Sequence, residues 1–254
     1  MSKNCLILYA YYETSEYKRN LEYFLKYGIY KDDYYIRHYT IIINGNCSID
    51  FKKYNYPIEL VTILERENKG YDFGAWAHAL QELDLIDYDY FIFINSTVIG
   101  PILPSYVDIK SWPHLFTDMI NDKVKLVGTT VNAKFKLHIQ SMFFVTDKIG
   151  LKLLKDKDIF TDNDKDTKVD VINKRELKMT EEIIKAGYKI NCIFPLMKDV
   201  DYNDDKVKQL GDIYYNKGII GGYEISPLDV IFFKTNRKFG EKEVDKYLYF
   251  ANFD

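Results

Sequence analysis

The chain has 254 residues, 47% of them hydrophobic and 29% charged, with 35 basic against 38 acidic side chains and a net charge of −3. That balance excludes a basic nucleic-acid footprint, and the apolar share excludes a disordered chain. No apolar run approaches the roughly 20 residues of a membrane span, so no transmembrane segment is expected.

The N-terminal run Cys5–Ala10 is short and leads into Tyr11-Tyr12-Glu13, so it reads as a strand rather than a signal peptide. Three scattered cysteines, Cys5, Cys47 and Cys192, argue against a disulfide framework and for a reducing, cytoplasmic setting. Lys3–Tyr11 is a β-rich run, and Tyr17–Gly28 carries apolar residues at helical spacing with a glycine at the stop. Strands are expected at Tyr34–Asn44 and Pro57–Leu64, a helix at Phe73–Leu83, and a dense strand capable of burial on both faces at Asp89–Asn95. A helix near Ser111–Ile120 and a strand at Val124–Thr130 follow.

The second half is less regular. Gln140–Thr146 reads as a strand, Lys148–Leu154 as a short helix, and the Asp- and Lys-rich Lys155–Asp170 as a solvated loop. Asn173–Ala186 is a helix closed by Gly187, and Tyr188–Phe194 is a strand. A turn is expected at Ile219-Ile220-Gly221-Gly222 and a last strand at Asp229–Phe233. Strands alternating with helices predict an α/β sheet of mostly parallel order, and no linker long enough to divide domains is visible.

Common motifs are missing. There is no glycine-rich dinucleotide fingerprint, no P-loop, no zinc helix and no nucleophile elbow. The four histidines, His38, His78, His114 and His138, show no metal-ligand spacing with the cysteines. Asn46-Cys47-Ser48 and Asn95-Ser96-Thr97 match glycosylation acceptors in form only.

Four segments carry chemistry. Glu67-Asn68-Lys69-Gly70-Tyr71-Asp72-Phe73-Gly74-Ala75-Trp76 lies between a strand and a helix. Its glycines admit close backbone approach, the helix N-terminus favours a phosphate, and Asp72 suits either helix capping or a ligand contact. Phe91-Ile92-Phe93-Ile94 ends in Asn95-Ser96-Thr97 and a Gly100-Pro101 turn. Polar residues at the carboxyl end of such a strand are placed for diphosphate or sugar, or for satisfying their own turn. His138, Gln140 and Ser141 alternate before an apolar strand and suit sugar hydroxyls. Glu176 opens a helix that closes eleven residues later, before Tyr188-Lys189-Ile190, and alone is an ordinary first-turn carboxylate.

Taken in order, these landmarks resemble GT-A glycosyltransferases. More narrowly, Arg66 to Trp76, Phe93 to Pro101 and His138-Ile139-Gln140-Ser141 are similar to the rhamnan-synthesis-F-like family, whose small relatives occur in bacteria and large DNA viruses. Gly222-Tyr223-Glu224-Ile225-Ser226-Pro227 through Lys234 also resembles it. The resemblance implies one GT-A-like α/β domain, with a nucleotide-binding half over about 1–110 and an acceptor and catalytic half over about 111–254.

It implies sugar transfer from a UDP-, GDP- or dTDP-linked donor to a hydroxyl of a glycan or other acceptor, in polysaccharide synthesis. Tyr9, Ala10, Tyr11 and Tyr12, with Asn44 and Gly45, match the base and ribose positions. Asn68, Gly70 and Asp72 match the nucleotide and donor-sugar segment, and Glu176 matches the carboxylate that deprotonates the acceptor in inverting members.

Asn95-Ser96-Thr97 stands where GT-A enzymes usually carry Asp-x-Asp. Neutral Asn and Thr give a hard cation oxygens without charge. One reading is a weakly held Mn²⁺ or Mg²⁺ at Asn95 and Thr97, bound mainly through the diphosphate with help from Asp72 or His138. The other is metal-free stabilisation by lysines such as Lys134 or Lys136 and helix N-termini. The missing carboxylates also support a competing class, a non-catalytic sugar-nucleotide or glycan-binding module.

Overall fold

The computed structural model describes residues 3–133, 136–163, 165–202, 211, 214, 224–237 and 241–250. Strand β1 (Cys5–Tyr11) is buried at every position, as its unbroken apolar run requires. Helix α1 (Ser15–Tyr27) follows. It starts before the expected Tyr17 because Thr14 caps it, accepting from the Tyr17 amide. Strand β2 (Arg37–Asn44) and β3 (Val61–Arg66) extend the sheet, and α2 (Tyr71–Glu82) crosses back to β4 (Tyr90–Asn95). A two-residue β5 (Val98–Ile99) precedes α3 (Trp112–Thr117), β6 (Val124–Gly128), β7 (Val131–Asn132), β8 (His138–Ile139), β9 (Phe143–Asp147) and α4 (Lys148–Asp156). Then come α5 (Lys168–Val171), a π-helical turn over Ile172–Glu176, α6 (Leu177–Lys185) and β10 (Lys189–Cys192).

Seven strands form the central sheet in the order β10-β6-β9-β4-β1-β2-β3. All pairings are parallel except those of β9, which runs antiparallel to both β4 and β6. This is the open, mostly parallel α/β sheet anticipated from the alternation. Strands β1 to β4 fill one side of it and β6, β9 and β10 the other, meeting where β9 pairs with β4.

The abundant aromatics divide between the two faces. Phe143 and Phe144, neighbours on β9, point to opposite sides because side chains alternate along a strand. Phe144 stacks on Phe93 at 4.5 Å, beside Trp76 and Phe160 on the α2 face. Phe143 packs on Phe116 and Phe232, beside Trp112, on the α1 and α3 face. Burying each large ring contributes on the order of 2 kcal/mol or more. The Trp112 and Trp76 indole N–H groups donate to the carbonyls of Gly28 and Leu8, so neither ring leaves a donor stranded.

Three expectations are corrected. Lys155–Asp170 is not a solvated loop throughout. Ile159 is fully buried, Phe160 joins the aromatic stack, Asp162 pairs with Arg66 at 2.7 Å, and Asp166 pairs with Arg175 and Lys174. Charge density masked these anchors in the sequence. The following helix begins at Lys168 rather than Asn173, because Thr167 and Asp170 form a reciprocal capping box. The strand expected at Asp229–Phe233 is a helical turn, Pro227–Val230, boxed by Ser226 and Asp229. It is followed by a short strand β11 (Phe233–Lys234) antiparallel to β5. The turn expected at Ile219–Gly222 lies outside the described residues. Among the described residues no helix is long and apolar enough to cross a membrane.

Candidate active site

The carboxyl ends of β1, β2 and β4 lie side by side, where ligands of open α/β sheets bind. Asn95 ends β4 with both ends of its side-chain amide engaged and one Nδ2 hydrogen left over. Its Oδ1 accepts from the Thr97 amide at 3.0 Å and the Thr97 hydroxyl at 2.6 Å, while Nδ2 donates to Asp72 Oδ2 at 2.6 Å. The Ser96 amide donates to the Ala10 carbonyl at 3.0 Å, and Ser96 Oγ accepts from the Tyr12 amide at 3.4 Å. Buried Asn20 donates to the Ser96 carbonyl at 2.9 Å.

The loop before α2 holds two residues in the left-handed region, Gly70 at φ +67° and Tyr71 at φ +54°. Gly74 must be glycine: a Cβ there would stand 2.4 Å from the Lys69 carbonyl oxygen. Arg66 ties the loop down, donating to Asn44 Oδ1 at 2.7 Å and to the Lys69 carbonyl at 2.9 Å while pairing with Asp162. No side chain caps α2, so its first-turn N–H groups face the site without a side-chain acceptor. Asp72 sits in that first turn, and its carboxylate reaches Asn95 instead. Burial pushes its pKa from 3.8 up to about 6, the Asn95 hydrogen bond opposes that rise, the negative Glu176 adds to it, and Lys234 and Lys168 act against it.

Glu176 comes from the other side. It closes the π-helical turn between α5 and α6, not the first turn of a fresh helix as its sequence context suggested. The extra residue of a π turn rotates the helix beyond it, and such turns concentrate at functional sites. Glu176 Oε1 accepts from the Ser141 amide at 3.2 Å and lies 3.7 Å from His138 Nε2. His138 Nδ1 is 2.6 Å from the Lys136 carbonyl, which can only accept, so Nδ1 carries the proton and Nε2 is the atom turned to Glu176. The Ile139 amide donates to Thr180 Oγ1 at 2.9 Å, docking β8 onto α6, and Thr130 donates to Gln140 Oε1 at 3.1 Å. Two carboxylates, an amide and an imidazole thus converge at the β4 terminus from four separate stretches of chain.

The rhamnan synthesis protein F family matches residues 40–244, which is most of the chain. The chain belongs to that family. It is 30% identical over 144 residues to the virulence protein VirA of Vibrio anguillarum, a match that takes in 52% of this chain and 42% of VirA. The chain therefore spans less than half the length of the curated relatives it matches. Among solved structures it is similar to the mannosyltransferase PcManGT from Pyrobaculum calidifontis, in complex with GDP-Man and Mn²⁺, at 9% identity and TM-score 0.49, over 75% of this chain and 54% of that one. It is also similar to S. aureus TarS 1-349, at 11% identity and TM-score 0.45, over 79% and 59%.

In this rhamnan synthesis F family member, Asn95 and Thr97 do not fit as ligands for Mn²⁺ or Mg²⁺. The Asn95 oxygen already serves two Thr97 donors, the free face of its amide is a donor, and neither residue brings charge. Among the described residues no group of three or more His, Cys, Asp or Glu is gathered for a metal. Of the lysines named as substitutes for a metal, Lys136 is ion-paired with Glu181 on α6, and Lys134 lies outside the described residues.

The remaining expected residues divide by placement. Asp72, Asn95, His138, Ser141 and Glu176 come together. Ser96 and Thr97 form the turn beside them. Gly70 shapes the loop above, and Gln140 is buried behind on Thr130. Tyr9 packs in the core on Phe24 at 5.0 Å, so it offers a ligand no side-chain contact. Ala10 is buried, and Tyr11 is buried with its hydroxyl on Glu13 at 3.2 Å. Asn68 is exposed on the loop, and Asn44 is held by Arg66. Arg66, Lys168 and Lys234 were not singled out for the site. Only Arg66 had a signal, its place at the head of the glycine-bearing segment.

Proposed function

We propose that this chain is a nucleotide-sugar-dependent glycosyltransferase of polysaccharide synthesis, with the donor diphosphate over the N-terminus of α2 and Glu176 as the base. One observation carries the reading. Glu176, 104 residues downstream of Asp72, accepts from the Ser141 amide, while the neighbouring Met142 carbonyl takes the Asn95 amide and Asn95 holds Asp72, at the strand end where an α/β sheet takes its ligands.

The chemistry is a displacement at the anomeric carbon. The acceptor hydroxyl gives its proton to Glu176, its oxygen forms the new bond to the sugar, and the bond from sugar to diphosphate breaks with the electron pair leaving on the diphosphate. Amide groups opening α2, with the charges of Lys168 and Lys234 near Asp72, favour that developing charge. The Ser141 amide holds the Glu176 carboxylate, and His138 stands behind it. The donor is a UDP-, GDP- or dTDP-linked sugar, the acceptor is a hydroxyl of a glycan, and the chain acts as one unit with a nucleotide side and an acceptor side.

Glu176→Gln is expected to lower transfer by about 10²–10⁴-fold while donor affinity, read by calorimetry, holds. Near-wild-type turnover would remove Glu176 from the base role. The commitment of the Asn95 amide to Thr97 and Asp72 favours a second reading, a sugar-nucleotide-binding module without turnover. Nucleotide release from a panel of UDP-, GDP- and dTDP-sugars separates the two.

A further inference from the structure

The chain between α4 and α5 touches both halves of the site. Ile159 is fully buried, and Phe160 stacks on Phe93 at 5.0 Å, two residues before Asn95 on β4. From that root it reaches the donor side first. Asp162 Oδ2 pairs with Arg66 at 2.7 Å, and Arg66 also holds Asn44 and the Lys69 carbonyl. Asp162 Oδ1 would stand 3.3 Å from a Cβ at Gly70 and 3.1 Å from one at Gly74. Asp162 thus covers the bare glycine faces of the α2 loop, at a separation that a side chain on either glycine would crowd.

Asp166, four residues on, reaches the base side. Its carboxylate takes Arg175 at 3.0 Å and Lys174 at 3.2 Å, both in the π turn that ends at Glu176. Lys174 is shared with Asp170 at 2.9 Å, so Arg175 is the exclusive anchor of the two. The Asp166 side chain is only 5% exposed and that of Arg175 11%. Asn163 ties the two ends together. Its side-chain amide donates to Asp166 Oδ1 at 3.2 Å, and its carbonyl accepts from the Asp166 amide at 3.4 Å. Buried ion pairs seldom add stability over packed apolar side chains, because desolvation offsets their attraction. What they supply is direction, since a guanidinium offers its N–H groups in one fixed plane. Here that direction is imposed on the residue next to Glu176, while the Ser141 amide holds the Glu176 carboxylate itself.

We propose that Asp162 and Asp166 are positioning residues of the site: Asp162 sets the α2 loop through Arg66, and Asp166 sets the Glu176 turn through Arg175. Their part in sugar transfer rests on the transferase reading; the two anchors do not.

Hydrogen exchange of single amides in the ligand-free chain, followed by NMR, tests the anchors. The Gly74 amide donates to the Gly70 carbonyl and reports the α2 loop, and the Ser141 amide reports the Glu176 turn. Asp162→Asn is expected to speed exchange at Gly74 about ten-fold and to leave Ser141 unchanged. Asp166→Asn should do the reverse, and Arg175→Gln should repeat it. Ile7 and Leu8, buried in β1, report the whole fold and should keep their wild-type rates in all three variants. With the donor that the panel of UDP-, GDP- and dTDP-sugars selects, Asp162→Asn should raise the donor KM about ten-fold. Asp166→Asn should lower kcat about ten-fold with KM within about two-fold of wild type. Faster exchange at Ile7 and Leu8 would reveal a merely structural role and overturn the assignment. Unchanged rates at Gly74 and Ser141, or the same loss in kcat and KM for both aspartate variants, would overturn it too. If no donor turns over, the transferase reading fails, and the exchange pattern alone decides the two anchors.

Discussion

Asp72 concentrates the electrostatic tension of the site. An acid whose pKa is raised on folding, here from 3.8 to about 6, binds its proton more tightly in the folded chain. Its protonation therefore favours folding at low pH, and that contribution is lost as the pH climbs through the interval between the two values. The sign is opposite to that of a salt-bridged carboxylate. Asp72→Asn keeps an acceptor for Asn95 and removes the charge. The variant should match the wild type below about pH 4 and exceed it by up to about 2–3 kcal/mol above about pH 7. Urea unfolding across that interval measures the difference, and a constant offset at all pH values would show that Asp72 is not buried as an acid. Such a gain in stability at the expense of donor binding is what a group held for function rather than folding should give.

At the scale of elements, two local irregularities place the site. One is the left-handed pair Gly70–Tyr71 that opens α2, and the other is the π turn that ends at Glu176. Both are departures from regular geometry held by packing around them. Gly74→Ala should therefore act on the first of these. Its new Cβ meets the Lys69 backbone, which cannot swing aside as a side chain would. A loss of about 1–3 kcal/mol is expected. Differential scanning calorimetry should show a midpoint lowered by roughly 2–10 °C. The same variant should weaken donor binding, because the Gly70 loop moves with the clash. An unchanged midpoint would mean that the loop has another conformation of equal stability.

For the whole molecule, the sheet is the frame on which distant segments meet. Residues of β4, the α2 loop, β8 and the π turn share one site only because β9 runs antiparallel between β4 and β6 and the chain entering it sets Met142 on the Asn95 amide and Ser141 on Glu176. A ligand that binds only this assembled rim must stabilise the fold. A nucleotide-sugar at about 100-fold its Kd should add about 2.7 kcal/mol, which raises the thermal midpoint of a chain of this size by roughly 5–10 °C. The matching free sugar should do less, and the nucleotide of the wrong base should do least. Equal shifts for every nucleotide would point to general anion binding at the helix end.

Much of this was legible in the residues themselves. Hydrophobic runs such as Cys5–Ala10 and Phe91–Ile94 dictate buried parallel strands, because a strand covered on both faces tolerates no polar alternation. Gly70, Asp72, Asn95, His138 and Glu176 stood out as polar or flexible residues beside such runs. Their meeting did not follow from the sequence, since pairing between segments 40 to 100 residues apart is decided by sheet order. Nor could composition tell that the charged stretch around Asp162 and Asp166 is pinned by Arg66 and Arg175, or that Tyr9 faces Phe24. A charge reads as solvated until its partner is known, and a side chain at a strand end reads as accessible until the helix above it is placed. Local pattern determined the elements; only the tertiary structure decided which of their ends face one another.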